Sequence, residues 1–346
     1  MSTFRNSMML YRPSLSVWTG RKKDKAQSEK ANTDAGAVDG AANVYKALLP
    51  DSPELTAVQK GATAFRTWVY NTTLPWDDNG GRVARVEKHM DFMAEAGDRI
   101  RALEDLVEQF IASYDRSIEE ARFKLNGMFN QSDYPTAFEL RRRFAFHIEC
   151  EAVPEAQDFR IIDGLPPEEV ERLVADAGSS VERRINAAMA DAHERIVEVV
   201  VKMATTLKQY GSKEIKKFND TLVTNIQDLC VVMPSLNLTN DKRLAEIAKR
   251  AERLATYDLR DLRSMPEVRD AAIAEATALI EFADSQPGFK NKPEVAAAIV
   301  ASEEQAVFNA ALTSATDQSV DDYPAGMVVV ADVPPDINPA SLVDGW

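Results

Sequence analysis

Apolar residues recur every three or four positions over most of this chain, a spacing that predicts helices. The longest stripe runs Met90, Met93, Ala96, Ile100, Leu103, Val107, Phe110, Tyr114, Ile118, Ala121, Leu125 and Met128. Its average period of about 3.5 is that of a coiled-coil seam. About forty residues at 1.5 Å each make a helix of roughly 60 Å. A second stripe begins near Pro166-Pro167 and includes Val181, Ile185, Ala188, Ala192, Ile196, Val199, Met203 and Leu207. Its period is about 3.6, so the stripe runs nearly straight. The two matched stripes predict an antiparallel pair of long helices; the alternative is that each packs on other elements of one bundle.

Shorter helical stripes surround these two. Residues 52–70 carry Leu55, Val58, Ala62, Phe65 and Val69, with Ser52 as N-cap and Pro53 in the first turn. Ile215, Phe218, Leu222, Ile226 and Leu229 form one face, expected to end at Pro234. Leu244, Ile247, Ala251 and Leu254 form another, with Thr239 or Asn240 as the expected cap. One more helix is expected over "MPEVRDAAIAEATALIEFADS".

The period changes to two in "RRRFAFHIEC", where Phe144, Phe146, Ile148 and Cys150 alternate with Ala145, His147 and Glu149. That predicts a half-buried strand closed by Pro154. A strand cannot stand alone. Its expected partner is "LSVWTGRK", with Leu15, Val17 and Thr19 on one face and Trp18 on the other; "DFRII" is a candidate third strand. The fold class expected is therefore mainly α: long antiparallel coiled-coil-like helices, a small β-sheet head and a C-terminal helical bundle.

Four regions follow. Residues 1–50 are a basic segment with one strand, in which 31–41 read as loop. Residues 51–165 hold the first long helix and the β head, and 166–285 the second long helix and bundle. Residues 286–346 read as an acidic, largely disordered tail, since no Lys or Arg follows Lys292. Apolar residues make up 45% of 346, enough for a substantial core. The net charge of −14 and pI near 4.9 make the whole molecule a poor coat for nucleic acid. The first 30 residues differ, with seven Lys or Arg against two acids. Cys150 and Cys230 read as reduced core thiols. No signal-peptide pattern opens the chain and no apolar run is long enough to span a bilayer, so a cytoplasmic protein is expected.

Catalytic patterns are missing. His89, His147 and His193 have no companions at ligand spacing and read as lone exposed or capping histidines. Gly80-Gly81 lacks the Lys-Ser/Thr of a P-loop, and there is no G-x-S-x-G elbow. The acid pairs Asp77-Asp78 and Asp321-Asp322 fall in turn-rich context and read as turn caps or solvated faces. Neither enzyme activity, metal nor cofactor is expected. The candidate interaction patch is Trp18, Arg21, Lys22, Lys23 and Lys25 with Arg141, Arg142 and Arg143. Such basic runs also arise as solvated strand edges, and Trp18 reads more readily as packed than exposed.

"SVWTGRKKD" (16–24), "NTTLPWDDNGGR" (71–82), "LNGMFNQSDYP" (125–135) and "RRRFAFHIECEAVPEAQDFR" (141–160) occur in that order. Together they resemble an uncharacterised protein family of bacteriophages and integrative elements. The resemblance covers roughly residues 10–160 by motif and extends as helical pattern to about 260. It implies a gene neighbourhood with a MoxR-like AAA+ ATPase and a von Willebrand factor A protein, hence a client or adaptor in a remodelling system in a bacterial host. It carries no functional residues over. Trp18, Trp76, Asp77, Phe129, Tyr134, Phe144 and Phe159 read as builders of the sheet and its lid. The function expected is a non-enzymatic helical scaffold or adaptor that self-associates or docks on such an ATPase. Alternatives are a nucleic-acid-binding protein using the basic head and a virion structural component.

Overall fold

The computed structural model describes residues 7–38, 40–154, 164–210 and 218–285. The candidate strand "DFRII", with Phe159, and the acidic region 286–346 lie outside them. The protein is mainly α with a small antiparallel sheet. The described elements run β1 (Met8–Ser16), β2 (Arg21–Lys23), α1 (Lys25–Asp34), β3 (Tyr45–Ala47), α2 (Pro53–Thr72), β4 (Leu74–Pro75), β5 (Arg82–Arg85) and α3 (His89–Leu125). They continue with α4 (Ala137–Arg141), β6 (Ala145–Ala152), α5 (Pro167–Gln209), α6 (Thr221–Leu236), α7 (Lys242–Leu254), α8 (Leu259–Ser264) and α9 (Pro266–Asp284).

Local chemistry sets the helix starts. The Ser52 side chain accepts from the Leu55 amide at 3.3 Å and Pro53 fills the first position of α2, where no amide is needed. Thr136 and Glu139 close a reciprocal capping box on α4. Asp241, rather than Thr239 or Asn240, caps α7, because Asn240 is turned into the left-handed region with φ 53°. Helix α6 runs two residues past Pro234, which sits in its last turn. Region 1–50 is richer than the one strand expected, with β1, β2, β3 and a helix, α1, reaching into the stretch read as loop.

The main sheet has strand order β4-β5-β1-β6, all antiparallel. Strand β1 does pair with β6, from Met9 opposite Ala152 to Ser16 opposite Ala145, but it begins at Met8 and ends before Trp18. Pro13 is tolerated because β1 pairs with β5 only as far as Tyr11. Alternation along β1 then divides the core. Met8 and Leu10, with Leu74 and Val83, join the cluster built on α5 to α9. Tyr11 and Ala84, with Ile148, face the other way onto Phe65, Val69, Phe92 and Leu103 of α2 and α3. The sheet is a middle layer between two helical layers.

That layering overturns the expected pairing of the long helices. Helix α3 packs chiefly on α2, and α5 on α9 and α6. Their stripes belong to separate clusters, so they form no coiled-coil seam with each other. At 37 and 43 residues the helices have the lengths their stripes indicate.

Candidate functional site

The basic run of residues 21–23 is itself a strand, β2, which pairs with β3 as a two-stranded ribbon apart from the main sheet. The chain reaches it through Gly20, whose φ of 67° places it in the left-handed region and whose carbonyl accepts from the Leu48 amide at 2.6 Å. Lys22 stands opposite Lys46, and directly opposed residues share a face. These like charges meet one carboxylate: Lys22 Nζ is 2.7 Å from Asp133 Oδ1 and Lys46 Nζ 2.6 Å from Asp133 Oδ2. Burial pushes the Asp133 carboxyl up, but hydrogen bonds and charge from the two lysines outweigh it and hold its pKa below the usual carboxylate value. Lys46 also donates to the Met128 carbonyl at 2.8 Å, and the Tyr134 hydroxyl to that of Leu48 at 2.7 Å. The segment "LNGMFNQSDYP" is thus a clamp on the inner face of the ribbon.

The outer face carries Arg21, Lys23, Tyr45 and Ala47, all exposed, with Tyr45 at 59%. Lys25 follows as an exposed residue in the first turn of α1. Trp18 leaves the patch. It is buried, its ring 6.1 Å from Phe110 and 6.2 Å from Tyr114. Arg141 pairs with Glu108, the Arg143 carbonyl accepts from Ser16 Oγ at 3.0 Å, and Arg142 is exposed. Both basic runs border the core around Trp18 and Leu140, but their side chains turn to different partners. Tyr45 was missed in the sequence because a three-residue strand is too short to show alternation.

"WDDNGGR" is a built turn. Asp77 Oδ1 accepts from the amides of Asn79 at 3.0 Å and Gly81 at 2.9 Å, and Arg12 lies 3.3 Å from Oδ2. A Cβ on Gly81 would fall 2.7 Å from that carboxylate and would have to push it off the turn amides. The turn delivers Arg82, which is buried and caps the end of α2. It donates to the Tyr70 carbonyl at 3.0 Å and to the Thr73 carbonyl at 2.7 Å. Arg195 of α5 donates to the same Tyr70 carbonyl at 2.7 Å and pairs with Asp191 at 2.7 Å. The two guanidinium carbons lie 4.7 and 4.3 Å from the Tyr70 ring centre. Burial, then repulsion from Arg195, lowers the Arg82 pKa to about 10.

This junction sits at one end of an open groove of about 1350 Å³ walled by α2, α3, α5 and α6. Ala64, Trp68, Leu229 and Val232 give it apolar surface, Thr63 and Asn225 neutral polar surface, and Lys60, Glu95, Glu198, Lys202 and Asp228 charge of both signs. Val231 on its rim is 80% exposed. Trp68 stacks on Phe92 at 4.9 Å under the Arg99 guanidinium.

The histidines and cysteines differ in part from expectation. His193 is buried in α5, not exposed or capping, and burial lowers its pKa to about 4, with Asp241 opposing and Arg243 adding to the shift. Its neighbours at four residues, Met189 and Val197, are buried too, a second apolar row that marks its position. His89 opens α3, with Nδ1 3.2 Å from the Tyr11 hydroxyl, and His147 is exposed on β6. Cys150 is exposed on the edge strand β6 rather than in the core, and Cys230 is half-buried; both are free. Among the described residues no group of three or more His, Cys, Asp or Glu is arranged to hold a metal ion. No described helix is long and apolar enough to cross a membrane. No protein-family model, curated protein or solved structure matches this chain.

Proposed function

We propose that this protein is a non-enzymatic helical scaffold or adaptor, encoded by a bacteriophage or integrative element, that works by docking. The observation that carries the reading is the groove between α2 and α6. At about 1350 Å³ it exceeds the roughly 300–1,000 Å³ of small-molecule sites. Its walls set apolar side chains such as Ala64, Val199, Leu229 and Val232 beside charged ones of both signs, Lys60, Glu95, Glu198, Lys202 and Asp228 among them, as suits the apolar and charged sides of an amphipathic helix. The occupant proposed is such a segment of a partner protein. The motif resemblance points to a MoxR-like AAA+ ATPase as that partner, acting in the host cytoplasm.

The test is light scattering after size-exclusion chromatography, alone and with the purified ATPase, comparing wild type with Val231→Asp. A complex that the rim charge weakens at least tenfold supports the groove. A strict monomer that binds no ATPase overturns the adaptor reading. A second reading, nucleic-acid binding through the basic head, has the exposed face of the β2–β3 ribbon in its favour. Virion incorporation is a third, decided by mass spectrometry of purified particles.

A further inference from the structure

We propose that the outer face of the β2–β3 ribbon is a binding site for single-stranded nucleic acid, with Tyr45 as the base-stacking platform and Arg21 and Lys23 as phosphate contacts. The inference rests on the second reading above and gives it a site. The register decides which residues take part. Arg21 opposes Ala47 and Lys23 opposes Tyr45, so these four share one face, while Lys22 and Lys46 share the other and are held by Asp133. An acid across the strand pair would stabilise a cation there. Here the cross-strand positions hold an aromatic and an alanine. That face carries no carboxylate, in a chain with 55 acids against 41 bases.

Tyr45 supplies the second observation. Among the described residues, a tyrosine 59% exposed beside a lysine offers most of its side chain to solvent. Every base has a complementary face, and aromatic stacking with a cationic track along the backbone is how single strands are held without sequence preference. In a duplex the bases are already stacked, so Tyr45 has no face to meet. Two strands also carry twice the charge toward a protein of net charge −14. Three ribbon residues span about 10 Å, room for one or two nucleotides over the ring. The clamp from Asp133 and Tyr134 keeps the ribbon in place, so the site is preformed.

The experiment is fluorescence anisotropy of labelled dT15 and rU15 with the full chain, from low to moderate salt. The comparison set is Tyr45→Ala, Tyr45→Phe, Arg21→Gln with Lys23→Gln, and unlabelled poly-glutamate as competitor. Expected are binding of both oligomers and a loss of about tenfold in Tyr45→Ala, in the range of one stacked base. Tyr45→Phe should stay near wild type, and the double variant should flatten the salt slope by about 1.4, two contacts at roughly 0.7 each. Far-UV circular dichroism verifies that the variants fold. Oligonucleotide binding that ribbon variants leave unchanged would remove this site yet keep the nucleic-acid reading. No binding by wild type even at low salt would remove both. Poly-glutamate displacing the oligomers at equal charge, with Tyr45→Ala silent, would reassign the face to acidic protein segments.

Discussion

Replacing Asp133 by asparagine keeps the shape of the clamp and deletes its charge. In the native protein one nearly buried carboxylate, 6% exposed at the side chain, neutralises two lysines that face each other across the ribbon. Lys22 is half exposed, and its share is that of a surface pair, at most about 1 kcal/mol. Lys46 is only 10% exposed, and with asparagine at 133 its ammonium is left with neutral acceptors, the Met128 carbonyl and the amide oxygen, and no counter-charge in the clamp. Removing one partner of a fully buried pair costs about 3–5 kcal/mol. The clamp lies between these limits, so Asp133→Asn should cost about 2 kcal/mol. The assay is amide hydrogen exchange at Asp24 and Leu48, whose amides donate to Val44 and Gly20 carbonyls beside the ribbon. Two kcal/mol corresponds to exchange about thirtyfold faster. The sign of the pH dependence follows from the depressed Asp133 pKa. Its contribution is complete above the unfolded value near about 4 and fades as pH falls through the lower folded value. The gap between variant and wild type should therefore close in acid. A change under about threefold at neutral pH, or a gap that persists when Asp133 is protonated, would refute the clamp.

Two further outcomes follow from buried groups. His193, with its pKa lowered to about 4 by burial, should make stability fall as pH drops from about 6.5 to about 4 and level off below, a loss of about 3 kcal/mol at most. NMR titration of its ring protons measures this, and a midpoint above 6 would show an accessible imidazole. Arg82→Met should cost about 3 kcal/mol, because Arg82 supplies two hydrogen bonds to carbonyls at the end of α2, at Tyr70 and Thr73. Urea unfolding measures it, and a change under about 0.5 kcal/mol would mean that water or Arg195 takes over the cap.

Much of the local structure was legible. Ser52-Pro53 announced α2, and the stripes gave α3 and α5 with nearly their full lengths. Alternation around Phe146 and Ile148 gave β6 and, with Leu15, its partner. Two errors differ in cause. Trp18 reads as a strand residue beside a basic run until the Gly20 turn separates it from both. Cys150 continues the apolar alternation of β6, yet β6 is an edge strand and leaves it exposed. For Cys150 the pattern named the face correctly and could not say what, if anything, would cover it; for Trp18 it ran the strand two residues too far.

By itself the sequence determined where the longer helices and strand β6 form, because periodicity, caps and turn residues act over a few neighbouring positions, while the three-residue strands β2 and β3 are too short to show a period. The tertiary structure alone decided that the two long helices are kept apart by the sheet, since an apolar stripe is equally satisfied by any complementary surface. It also decided which lysines are spent on Asp133 and which face outward with Tyr45. That division depends on the register between β2 and β3 and on a carboxylate more than a hundred residues away. Only folding brings such distant groups within the few ångströms at which charges select their partners.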